Sequence, residues 1–91
     1  MVIKGNTTSA YFGVSMDAAS NIISYSVVNK SGATNVVSVG VVYGSTAIEI
    51  FRKSFNSNES VQYLGEKIII EKNYGVYIVC SGSTDFYFSI E

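Results

Sequence analysis

The sequence predicts an all-β protein: a single antiparallel β-sandwich, immunoglobulin-like or jelly-roll-like, of about eight short strands. Three observations predict it. Valine, isoleucine and threonine occur 12, 10 and 5 times in 91 residues, whereas leucine occurs once, at Leu64. β-Branched side chains fit a pleated sheet, and straight-chain ones favour helices. Apolar residues recur with period two, as a half-buried strand requires. Turn-forming groups punctuate the chain at intervals too short for the helical crossovers of a parallel sheet. At this length residues 1–91 make one domain.

The elements follow in order. Strands are expected at 8–15, 21–29, 35–43, 46–52, 59–64, 66–72, 74–81 and 84–91. In the third, Val37, Val39 and Val41 share a face, with Ser38 and Gly40 opposite. In the last, Phe86, Phe88 and Ile90 oppose Asp85, Tyr87 and Ser89. The predicted core is Val37, Val39, Val41, Ile68, Ile70, Val76, Ile78, Phe86 and Phe88, which hold a common phase within each strand. Turns fall at Asn29-Lys30-Ser31-Gly32-Ala33, Tyr43-Gly44-Ser45, Lys72-Asn73-Tyr74-Gly75 and Ser81-Gly82-Ser83, with glycine supplying positive φ. Asp17 to Asn21 reads as a helical turn or a loop.

Composition removes many functions. Six Lys and Arg against seven Asp and Glu give a net charge of −1, with no basic stripe to displace counterions from nucleic-acid phosphates. No stretch has the run of apolar residues that a membrane span needs. The start of the chain lacks the pattern of a signal peptide, so synthesis in a cytoplasm is expected. Histidine is absent, which removes the Ser-His-Asp and Cys-His arrangements and most zinc sites. Glu66 and Glu71 fall on opposite strand faces and cannot flank one glycosidic bond. Cys80 is the single cysteine, inside an apolar run, and is expected to be buried and inert. No catalytic residue, metal site or cofactor is expected, and the chain reads as a non-enzyme.

What remains is surface. The strand at 66–72 places Ile69 opposite Ile68 and Ile70. The strand at 74–81 places Tyr77 and Val79 opposite Val76, Ile78 and Cys80. Apolar residues on both faces mark either a covered central strand or an interface. Low charge and the absence of proline favour assembly, because isolated sheets usually blunt their edges with both. The candidate interface residues are Tyr11, Phe12, Ile69, Tyr77 and Val79, with residues 1–12 as an extended docking arm. The tyrosines, among them Tyr11, Tyr25, Tyr63, Tyr77 and Tyr87, serve sheet packing, an interface or sugar stacking.

Val27-Val28-Asn29-Lys30-Ser31-Gly32-Ala33-Thr34, with Val37 to Tyr43 after it, makes a strand, turn and Val-x-Val-x-Val strand. Phe55 to Val61, Glu66 to Lys72, Tyr74 to Ser81 and Asp85 to Glu91 continue the phrase. This order resembles small β-sandwich structural proteins of tailed-bacteriophage virions, of capsid auxiliary (decoration) or fibre-module type, including those of crAss-like phages. The resemblance covers about two thirds of the chain. Asn73-Tyr74-Gly75 stands where those proteins usually carry Gly-Asp or Gly-Glu. It implies a mechanical role on the capsid surface, stabilising the major capsid protein lattice, with other virion proteins or a homo-oligomer as further partners. The alternative is a carbohydrate- or host-surface-binding module of a phage fibre, its tyrosines gathered in one cleft.

Overall fold

The computed structural model describes residues 1–13 and 15–91, with side chains throughout except at 23 and 61–67. The strands are β1 (Val2–Thr7), β2 (Ala10–Phe12), β3 (Ser20–Asn29), β4 (Asn35–Tyr43), β5 (Thr46–Phe55), β6 (Ser60–Ile70), β7 (Gly75–Cys80) and β8 (Thr84–Ile90). They form two four-stranded sheets, ordered β1-β8-β3-β6 and β2-β7-β4-β5. Strand β1 pairs with β8, β2 with β7, β3 with β6 and β4 with β5, all antiparallel. Such pairing is that of one long hairpin rolled up on itself. The rolled hairpin is closed by β3 against β8 and β4 against β7. Of the two expected sandwich types this is the jelly roll.

Several element boundaries differ from expectation, and β5, expected at 46–52, runs on to Phe55. The stretches 59–64 and 66–72 form one strand, β6, whose pairing with β3 shifts register between Ile22 and Ser24. Gly65 reads as a break in sequence, yet a long partner strand carries the ladder past it. The first dozen residues are not an extended arm. Val2 to Thr7 form an edge strand in register with Ser89 to Thr84, and Ala10 to Phe12 pair with Val79 to Tyr77. The sequence Lys4-Gly5-Asn6 has no apolar alternation, so only its backbone pairing makes it a strand. Because Ile3 is buried, deleting residues 1–8 should strip an edge of the sandwich and not merely detach a tail. Position 14, inside the expected 8–15 strand, lies outside the described residues. Asp17 and Ala18 bend without helix.

Positive φ is shared between glycine and asparagine. Gly32 and Gly44 do adopt positive φ, at 72° and 57°, but Asn73 at 74° takes that role in the β6–β7 turn, and Asn58 at 62° in the β5–β6 turn. Asparagine tolerates the left-handed region better than other residues with a side chain.

Eight of the nine predicted core residues are buried, and Ile68 packs partly against them. A line of rings runs through this core: Tyr11 to Phe86 (4.7 Å between centroids), Phe86 to Phe88 (6.1 Å), Phe88 to Tyr25 (6.2 Å), Tyr25 to Phe51 (6.1 Å) and Phe51 to Phe55 (6.2 Å). Tyr11, Phe51 and Phe55 belong to one sheet and the other three to its partner, so the line ties the layers together.

One end of the sandwich is closed by polar groups. Asn29, Asn35 and Thr84 are fully buried. The Asn35 amide donates to Thr84 Oγ1 (2.8 Å), Asn29 Oδ1 (3.2 Å) and the Gly82 carbonyl (3.2 Å). Its Oδ1 accepts from the Ser81 backbone N–H (3.0 Å). The Asn29 amide donates to the carbonyls of Ala33 (2.7 Å) and Asn56 (2.8 Å). These two side chains join the β3–β4, β5–β6 and β7–β8 connections. Among the described residues no buried side-chain polar atom lacks a partner.

Candidate functional site

The outer face of the β2-β7-β4-β5 sheet carries a shallow concavity of about 410 Å³, lined by Phe12, Ser38, Ala47, Glu49, Arg52, Tyr77 and Val79. Its shape comes from two backbone features. The first is a bulge in β5: Val39 pairs with Phe51, but Gly40 pairs with Glu49, leaving Ile50 as the extra residue. In a regular strand, residues three apart point to opposite faces. The bulge resets that alternation and brings Glu49 and Arg52 to one face. There Glu49 Oε1 accepts from Arg52 Nε (2.8 Å) and from the Ser38 hydroxyl (2.6 Å).

The second feature is Gly40. A Cβ there would lie 2.6 Å from a Tyr77 ring carbon and would also collide with the Ile48 carbonyl. Glycine lets the Tyr77 ring lie flat on the strand, and Phe12 stacks beside it with centroids 6.2 Å apart and planes 28° apart. Gly40→Ala should therefore displace Tyr77 and strain the bulge, costing about 1–3 kcal/mol as overpacking does. A urea titration would read that loss, and an unchanged midpoint would refute the close packing.

Electrostatics here are local. The Ser38 hydroxyl, and after it the Arg52 guanidinium, hold the Glu49 carboxyl below its ordinary range. The group is thus ionised at neutral pH. Its favourable contacts are present above the unfolded pKa and fade as pH falls through the lowered folded one. The Lys53 ammonium, 2.8 Å from Glu59, acts on Glu59 in the same direction.

The structure separates the residues singled out in sequence. Phe12 (62% exposed) and Val79 (42%) lie on the outer face. Tyr77 is on that face but buried at 7%, because Gly40 lies beneath its ring and Phe12 beside it. Tyr11 turns inward onto Phe86 and is packed against the core. Ile69 belongs to the other sheet. It is 68% exposed and lines a second cleft of about 200 Å³, with Ile48, Ile50, Ile68, Val41, Tyr74 and, as its one charged residue, Glu71. Ile48 is half exposed beside it.

The tyrosines do not gather in one cleft. Tyr43 meets Tyr74 edge-on, Tyr25 is buried in the core, and Tyr87 is exposed on the other sheet. The side chains of Tyr63 and Glu66 lie outside the described residues. Sequence reasoning missed Ser38, Glu49 and Arg52, because a spacing of three on a strand gives no sign that two side chains share a face.

Cys80 is buried, with its thiol 3.7 Å from the Thr7 carbonyl under the β1–β2 turn. Alkylating reagents should label it only after denaturation, and rapid labelling of native protein would contradict this burial. Among the described residues no group of acidic or cysteine side chains could hold a metal ion, and no helix is long and apolar enough to cross a membrane.

No protein-family model matches the chain, and no curated protein does. Solved structures do. The crystal structure of PirA is similar with a TM-score of 0.62 and 7% identity, covering 97% of this chain and 93% of that one. The likeness is one of fold. More distant similarity reaches two virion proteins. One is the C-terminal domain of A223, a structural protein from Sulfolobus turreted icosahedral virus (TM-score 0.44, 15% identity, 96% of this chain and 91% of that one). The other is the SPP1 phage Dit protein of the hub adsorption apparatus (TM-score 0.46, 13% identity, 100% of this chain and 47% of that one).

Proposed function

We propose that this chain is a non-enzymatic structural protein of a tailed-phage virion, a capsid auxiliary protein that seats on the major capsid protein lattice and stabilises it. The observation that carries the reading is the isoleucine-lined cleft between β5 and β6. Ile48 and Ile69 stand exposed there, outside the buried core. Removing such side chains from water on a partner surface favours association, and apolar anchors seated in pockets commonly dominate it. Two further facts support the reading. Residues 25–43 and 55–91 resemble small β-sandwich virion proteins of capsid auxiliary or fibre-module type, and capsid domains are a common use of the jelly roll. Fold by itself does not fix function, so the cleft bears the argument.

The test is co-sedimentation of the purified protein with capsids of its own virion that lack it. Binding is expected, and moderate salt should not release it, because apolar contact is screened little. Ile48→Asp and Ile69→Asp should each weaken binding about tenfold or more while leaving the fold intact. Failure to bind, or binding indifferent to both substitutions, would overturn the reading.

A further inference from the structure

We propose that the outer-face concavity of the β2-β7-β4-β5 sheet is a second, independent binding site, for one neutral pyranose residue of a glycan. Its two sides differ in chemistry. Phe12, Tyr77 and Val79 supply an apolar side, with the Phe12 ring largely exposed. Ser38, Glu49 and Arg52 supply a polar side of one carboxylate, one guanidinium and one hydroxyl. A pyranose has the matching division, an apolar C–H face and a rim of hydroxyls.

The hydrogen-bonding capacity of the polar side is only part used. Glu49 Oε1 takes both internal bonds, while among the described residues Oε2 and the Arg52 Nη groups make none. One carboxylate oxygen accepts and the guanidinium nitrogens donate. Neighbouring sugar hydroxyls do both at once, so a vicinal pair can meet both groups. An aliphatic side chain of a protein partner would instead cover two charged groups without giving them partners, which is costly. This separates the concavity from the isoleucine cleft, where such a side chain fits.

Charge selects the kind of sugar. Glu49 is ionised and its charge is matched by Arg52, so the site is close to neutral. A uronic or sialic acid would gain Arg52 only by competing with Glu49 for it, so a near-neutral pair gives the acid no advantage over a neutral hexose. The site is open and shallow, which limits the contact to one residue and the affinity to the weak range of small ligands.

The experiment is a titration of isotope-labelled protein, followed by amide NMR shifts, with the methyl glycosides of glucose, galactose and mannose and with methyl glucuronide. We expect saturable shifts confined to the residues around Phe12, Ser38, Glu49, Arg52, Tyr77 and Val79 with at least one neutral glycoside. Phe12→Ala and Glu49→Ala should each weaken that binding about tenfold or more, with the remaining spectrum unchanged. Tyr87→Ala, on the opposite sheet, should leave it unaltered. Absence of saturable shifts with all three neutral glycosides would overturn the proposal. So would tighter binding of the glucuronide, indifference to both cleft substitutions, or protection of this face by capsid protein. Ile48→Asp and Ile69→Asp lie outside the concavity, so capsid binding and glycan binding can fail separately.

Discussion

Phe88→Ala should cost about 3–5 kcal/mol, the range for deleting a core aromatic side chain. Phe88 is fully buried, and it is the ring that joins Phe86 to Tyr25 in the line spanning both sheets. Its removal leaves a cavity bounded by strands that cannot collapse without giving up ladder hydrogen bonds. Stability of an ordinary small domain is about 5–15 kcal/mol, and a chain this short sits toward the lower end. The variant is therefore expected to be largely unfolded, or to melt far below the parent, when circular dichroism is followed with temperature. A loss below about 1 kcal/mol would mean that the rings do not pack as described.

Asn35→Ala should destabilise the fold through a different mechanism. The substitution leaves the Ser81 N–H without its side-chain acceptor and removes the donor shared by Thr84, Asn29 and Gly82. The Ser81 N–H keeps the Val36 carbonyl, Asn29 Oδ1 keeps Ser31, and the Thr84 hydroxyl keeps the Gly82 carbonyl, so the cost is that of bonds lost together from a buried network, about 1–3 kcal/mol. Asn35→Asp separates hydrogen bonding from volume. It is nearly isosteric, yet it places a carboxylate oxygen against the Gly82 and Ser83 carbonyls. Burial and those oxygens should raise its folded pKa above the unfolded value of about 3.9. A raised folded pKa means stability that is present below the unfolded pKa and lost as pH rises through the folded one. Denaturant midpoints measured across the acid range should show Asn35→Asp recovering stability at low pH, while Asn35→Ala shows no such recovery. Equal pH profiles for the two variants would contradict the network.

Much of this core was legible in the chain. Val37, Val39 and Val41, or Phe86, Phe88 and Ile90, alternate with polar neighbours, and strand geometry leaves one way to bury them. The same rule marked Ile69 and Val79 as outward. It failed at Lys4-Gly5-Asn6, where a strand is made by hydrogen bonds to β8 and carries little apolar signal of its own.

By itself, then, the sequence determined an all-β sandwich, its inward faces, the burial of Cys80 and the exclusion of histidine chemistry, because each follows from residue type or from a period of two. Tertiary structure alone decided the rest. Asn29 reads as an ordinary turn residue and Asn35 as the start of a strand, and only the meeting of three loops at one end makes them buried linchpins. Tyr77 reads as exposed, and only its partner Gly40 lets its ring lie flat and buried. Glu49 and Arg52 read as facing apart, and only a one-residue bulge opposite β4 brings them together. In each case the deciding contact joins strands distant in sequence, and local patterning carries no record of which residue will lie opposite which.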